Sequence, residues 1–193
     1  LKLDYNKNKL SIKGEGKIKI NEKFEKIDYL VDKKKDGINL SSNLIIENID
    51  IKKQEFLKNY FPLLEENINL KNHKINIVYN NKNLTLTGEG KIKIDKVFDY
   101  IKYQVSTLDK NYVFDIDLGL SKTNFKIDFL NYSKKHNTNA KLKFQGDFVK
   151  NKNLNIKNFT ILENNNKIEI LNLLLKDKYL ISKIEKAKFN YID

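Results

Sequence analysis

One stretch of this chain occurs twice at a fixed offset of 74 residues. Tyr5-Asn6, Leu10, Gly14-Glu15-Gly16-Lys17-Ile18-Lys19-Ile20, Phe24, Ile27, Tyr29 and Val31 return as Tyr79-Asn80, Leu84, Gly88-Glu89-Gly90-Lys91-Ile92-Lys93-Ile94, Phe98, Ile101, Tyr103 and Val105. Apolar residues recur at the same parity in both copies, so one strand-turn-strand unit is built twice and the chain is expected to form an extended array. The organisation expected within residues 1–193 is an internal repeat over 5–46 and 79–122, a short helical insert at about 52–64, and a divergent β unit over 124–193.

Period-two alternation extends the repeat into a sheet. In Leu10 to Ile20 the residues Leu10, Ile12, Gly14, Gly16, Ile18 and Ile20 share one parity, and Ser11, Lys13, Glu15, Lys17 and Lys19 take the other. That pattern gives a strand one apolar and one polar face. Similar runs follow at 27–31, 38–46, 75–79, 84–94, 114–120, 125–129 and 142–148, with further strand candidates at 154–162, 167–174 and 179–191. Turn-forming residues separate them at 6–9, 34–37, 80–83, 109–111, 134–139, 150–153 and 164–166. The expected fold is all-β: a curled antiparallel sheet, an open groove of repeated strand units, with one short helix. Phe56, Leu57, Tyr60, Phe61 and Leu64 supply that helix, and Pro62 limits it. It either caps one end of the sheet or touches lipid.

Composition removes several function classes. With 40% hydrophobic residues the chain folds, and with no Cys it has neither disulfides nor thiolate metal sites. Its net charge of +12 comes entirely from lysine. Without the guanidinium fork, specific nucleic-acid reading is not expected; a polyanion-binding lysine face is the weakest of the readings. The chain opens on Leu1 already in alternation, which suggests a fragment of a larger protein. Each Gly-Glu-Gly runs straight into Lys-Ile-Lys-Ile without a helix N-terminus, so neither is a phosphate loop. Gly14, Gly16, Gly88 and Gly90 are read as strand-bend positions or as clearance for a ligand. His73 and His136 lack partners at metal-ligand spacing, and Ser41, Ser42, Ser106 and Ser121 lack a nucleophile elbow. No enzyme activity, metal or cofactor is expected.

What covers the apolar face then decides function. Exposed apolar surface costs about 25 cal/mol per Å², and one short helix is too little cover for the whole array. An acyl chain lying there would gain about 0.8 kcal/mol per buried methylene. The candidate lining is Ile18, Ile20, Leu40, Leu86, Ile92, Ile94, Tyr103, Ile116, Leu118, Ile127, Phe129, Leu142 and Phe144. The rival reading is a structural or adhesive β-sandwich or solenoid filled by its own side chains.

The chain also resembles the AsmA-like envelope proteins, related to the TamB and bridge-like lipid-transfer group. The resemblance lies in Gly88 to Ile94 followed by Phe98, Ile101 and Tyr103, in 125–132 and 140–148, and in the closing Phe189-Asn190-Tyr191-Ile192-Asp193. It implies a curled β-groove in a periplasmic portion of an inner-membrane-anchored bacterial protein. There it would carry phospholipid between inner and outer membrane, with membrane contact made by other parts of the parent chain. The resemblance implies no catalytic residues, and the oligomeric state is left open.

Overall fold

The computed structural model describes residues 1–6, 9–35, 37–80, 82–108, 111–134, 138–149, 153–176 and 180–190. Parts of the expected turns at 7–8, 36, 81, 109–110, 135–137 and 150–152 lie outside the described residues, as do His136, Tyr179 and 191–193. Twelve strands form one antiparallel sheet. They are β1 (Lys2–Asn6), β2 (Lys9–Ile20), β3 (Lys23–Lys34), β4 (Gly37–Lys52), β5 (Asn67–Asn80), β6 (Asn83–Lys93), β7 (Phe98–Leu108) and β8 (Asn111–Gly119). A separate two-stranded ribbon, β9 (Lys126–Ile127) and β10 (Tyr132–Ser133), interrupts the series before β11 (Ala140–Val149), β12 (Leu154–Glu163), β13 (Asn166–Lys176) and β14 (Leu180–Asn190). In the large sheet each strand lies beside its predecessor, β11 beside β8, and β1 and β14 are free edges. The array is therefore open and curled, not a closed barrel.

The repeat offset equals four strands, with β2 recurring as β6, β3 as β7 and β4 as β8. Register carries the alternation across the sheet: Ile27 pairs with Leu44, Leu44 with Ile75, Ile75 with Gly88, Gly88 with Tyr103, Tyr103 with Ile116 and Ile116 with Phe144. Directly paired residues share a face, so one face is apolar from edge to edge. Between β2 and β3, Asn21 and Glu22 both take positive φ, 44° and 68°, as a tight hairpin with right-handed twist requires.

Two asparagines inside strands keep the apolar residues on that face. Asn72 has φ 52°, and β5 has one extra residue relative to β6 between Lys71 and Lys74. Ile75 pairs with Gly88 on one side of the break and Leu70 with Ile92 on the other, so the face is preserved although the sequence parity changes. Asn172, with φ 49°, accompanies a parity change in β13, where Ile170, Leu173 and Leu175 are all buried while the pairing with β12 keeps its register. A short polar side chain that can hydrogen-bond locally tolerates this left-handed backbone better than a larger residue would.

The larger core cluster lies at one end of the apolar face, under two inserts, and a second, of Ile156, Ile170, Leu173 and Leu175, sits on β12 and β13. In the first insert, the expected helix is a 3-10 helix, Glu55–Asn59, followed by a turn that buries Phe61. Lys53 Nζ, 2.6 Å from Glu66 Oε1, closes its base. The second insert corrects the expected strand through Phe125, Ile127 and Phe129: only Lys126–Ile127 is extended, and Asp128–Leu130 is a 3-10 turn. Two buried carboxylates redirect the chain. Asp99 accepts hydrogen bonds from the Thr123 amide (3.0 Å) and hydroxyl (2.6 Å), and Asp95 accepts one from the Asn124 amide (3.1 Å). The inserts then join each other, the Lys126 N–H donating to the Tyr60 carbonyl at 2.9 Å. Beneath them Ile92, Ile94, Leu118, Leu120, Leu142, Ile161 and Ile168 pack into one cluster, each fully buried aliphatic side chain contributing about 1.5–3 kcal/mol.

Candidate functional site

The expected lining divides into three groups. Ile92, Ile94, Leu118 and Leu142 are buried beneath the inserts, and Ile127 belongs to the insert itself at 2% exposure. Phe129 lies off the sheet, 44% exposed on the 3-10 turn. Ile18, Ile20, Leu40, Leu86, Tyr103, Ile116 and Phe144 lie on the apolar face of the sheet; Ile18 is exposed and the others are half-buried. Leu86 continues a row through Ile77 and Val105 to Phe114, and Leu40 one through Val31 and Tyr79. From β3 to β11 these rows make a half-exposed apolar surface roughly 30 Å across the strands.

The glycines in this surface are explained by their cross-strand partners. Gly14 pairs with Tyr29 and Gly88 with Tyr103. A Cβ on Gly14 would meet the Tyr29 hydroxyl at 2.6 Å, and one on Gly88 would overlap the Tyr103 ring. At Gly90 the occupant is His73, whose Nδ1 would lie 2.5 Å from the added carbon. Only Gly16 of the four leaves open space, and register runs unbroken through Gly14 and Gly16. The expected side-chain-free strip is thus largely filled by the protein's own rings.

His73, for which the sequence offered no ligand role, lies in the middle of the sheet. It sits within β5, fully buried between Ile46 and Gly90 and stacked on Tyr103 at 6.0 Å, and neither ring nitrogen has a hydrogen-bond partner. Burial pushes its imidazole pKa down, with the Lys71 backbone opposing. The unfolded chain therefore takes up the proton first, and stability is lost as pH falls below about 6.5, the ordinary histidine value. The melting temperature should drop between pH 7 and pH 5, and His73→Leu should flatten that part of the profile. An unchanged slope in the variant would assign the titration to another group. Asp32 and Glu169, held below the usual carboxylate range by hydrogen bonds from Ser11 and Lys9 and from Lys167 and Lys188, act at lower pH.

The polar face holds a feature the sequence reading did not reach. A hollow of about 870 Å³ crosses β4 to β12. One row of its lining is Asn43, Asn76, Thr87, Gln104, Asp115, Gln145 and Asn158; the next is Ile45, Lys74, Glu89, Lys102, Asp117, Lys143 and Thr160. Register places both rows on the face opposite the row of Leu44, Ile75, Gly88, Tyr103 and Phe144, and the first four of that intervening row also line the hollow. A smaller hollow of about 390 Å³, lined by Asp147, Asn155, Leu174 and Lys183 among others, continues the concavity toward β14. A twisted sheet is saddle-shaped, so a face can be hollow along one diagonal without closure. Asn76 Nδ2 donates to Asn43 Oδ1 (3.0 Å), Asn43 Nδ2 to Asp28 Oδ1 (2.8 Å) and Gln145 Nε2 to Asp115 Oδ2 (2.8 Å). The only sequence signal was amide and hydroxyl residues at one parity, which does not stand out in so Asn-rich a chain.

No family model, curated protein or solved structure matches this chain. Among the described residues no helix is long and apolar enough to cross a membrane, and no three potential ligand side chains gather as a metal site.

Proposed function

We propose that the chain is a segment of a hydrophobic conduit, carrying phospholipid or another acyl-chain lipid on the uncapped part of its apolar face. The observation behind this reading is the half-exposed surface around Leu86, Tyr103 and Ile116, over which no second sheet layer lies among the described residues. A continuous apolar area of this breadth exceeds what a monomer ordinarily leaves to water. Acyl tails would lie over these rows while head groups stay at the polar strand ends. The setting proposed for it, between the inner and outer membranes of a bacterial envelope, rests on the AsmA-like resemblance.

Native mass spectrometry of the purified chain should reveal co-purified phospholipid. Ile116→Asp, and Leu84→Asp at a more exposed position on the same face, should each reduce bound lipid at least about tenfold, the loss of roughly 1.4 kcal/mol of binding. Circular dichroism reports whether each variant is folded. A lipid-free wild type, or lipid retained in folded Leu84→Asp, would favour the alternative, a non-catalytic structural or adhesive array. The observation on that side is the self-filled end of the face, where Phe61, Phe125 and Ile127 already cover the sheet.

A further inference from the structure

We infer that the hollow on the polar face is a binding site for an uncharged polyhydroxylated chain, a glycan laid across the strands. This concerns the opposite side of the sheet from the lipid surface and does not depend on it.

Charge defines the ligand class first. The chain as a whole carries +12, yet the hollow is lined by three lysines and three carboxylates, which cancel. Some are also engaged locally: Lys143 lies 3.6 Å from Asp117, Lys141 lies 2.8 Å from the same carboxylate, and the Tyr100 hydroxyl donates to Glu89 at 2.8 Å. A polyanion or polycation would meet equal attraction and repulsion there, whereas a neutral ligand would not.

Hydrogen-bonding capacity defines it further. Thr87 and Gln104, at the centre of the row, make no side-chain hydrogen bonds to the described residues, so a donor and acceptors are free on each. Asn76 and Gln145 each commit one amide N–H to a neighbouring side chain, which fixes the amide plane and leaves the second N–H available. Groups that both donate and accept, held at fixed orientation, match sugar hydroxyls, which also do both. Spacing agrees: successive members stand one interstrand step apart, about 4.8 Å, close to the length of one sugar ring in an extended glycan. Ile45, 47% exposed beside the polar rows of the hollow, offers an apolar contact for the C–H face of a ring.

Isothermal titration calorimetry of the whole chain against maltohexaose, cellohexaose and chitohexaose, with a heparin hexasaccharide as charged comparator, tests the assignment. At least one neutral oligosaccharide should bind, and Gln104→Ala and Asn76→Ala should each weaken it about tenfold, while Leu84→Asp on the opposite face leaves it unchanged. The substituted residues lie on the polar face away from the core, so the variants should keep the wild-type melting temperature. No binding by any neutral oligosaccharide to the folded chain would overturn the inference. So would binding that survives the Gln104→Ala, Asn76→Ala double substitution, or a preference for heparin abolished by moderate salt, which would assign the surface to its lysines.

Discussion

Phe125→Ala should destabilise the chain by about 4 kcal/mol, moving the urea midpoint down by about 2 M for an ordinary denaturant slope. Phe125 is 3% exposed and forms the centre of the plug, with its ring 5.2 Å from Phe61 and 6.4 Å from Tyr132. Its carbonyl accepts the Lys134 N–H at 2.9 Å, tying the returning chain to the same point. Truncation removes the ring contact between the inserts and leaves a cavity over Leu120 and Ile127 that the short 3-10 segments are poorly placed to fill. Phe129→Ala, four residues along and mostly outside the core, should change stability by less than about 1 kcal/mol. Equal losses in the two variants would contradict the packing described here.

At Gly146 the expected penalty arises from backbone. The residue sits where β11 shifts register against β12, with Gln145 opposite Asn158 and Gly146 opposite Ile156. An added Cβ would run into the Asn155 carbonyl oxygen and lie 2.8 Å from the tip of the Phe114 ring. A ring can turn, but the carbonyl belongs to the neighbouring strand and moves only if the ladder moves. Gly146→Ala should therefore lose about 3 kcal/mol in chemical denaturation, at the upper end for overpacking. Gly16→Ala provides the contrast, because nothing lies within 4 Å of its added carbon and alanine is less entropically costly in a strand. That variant should be neutral or slightly stabilised, and a loss there comparable to Gly146→Ala would remove close approach as the explanation.

The strands and their faces were legible because each apolar residue reports its own side of the sheet. Ile18, Ile92, Tyr103, Ile116 and Phe144 share a face across five strands, as their parity implied, and the repeat anticipated that β6 to β8 copy β2 to β4. Parity could not distinguish the plug from a strand. Phe125, Ile127 and Phe129 alternate as strand residues do, and the deciding interactions come from Asp95 and Asp99, far away in sequence and ordinary in appearance. Nor could it pair Gly14 with Tyr29 or Gly88 with Tyr103, since that needs the register between strands. The polar hollow was hidden for a different reason: alternation says which residues share a face but not how that face bends.

At the last strand of the sheet, every residue from Leu180 to Asn190 is exposed and one flank has no hydrogen-bonded neighbour. Ile181, Ile184 and Phe189 would make such a border adhesive, and Lys183, Lys186 and Lys188 surround them with positive charge. Lysines at a free rim discourage a like-charged rim from zipping onto it. Ionic strength then acts as a control on clumping, because added salt shortens the reach of the repulsion while leaving the oily side chains as sticky as before.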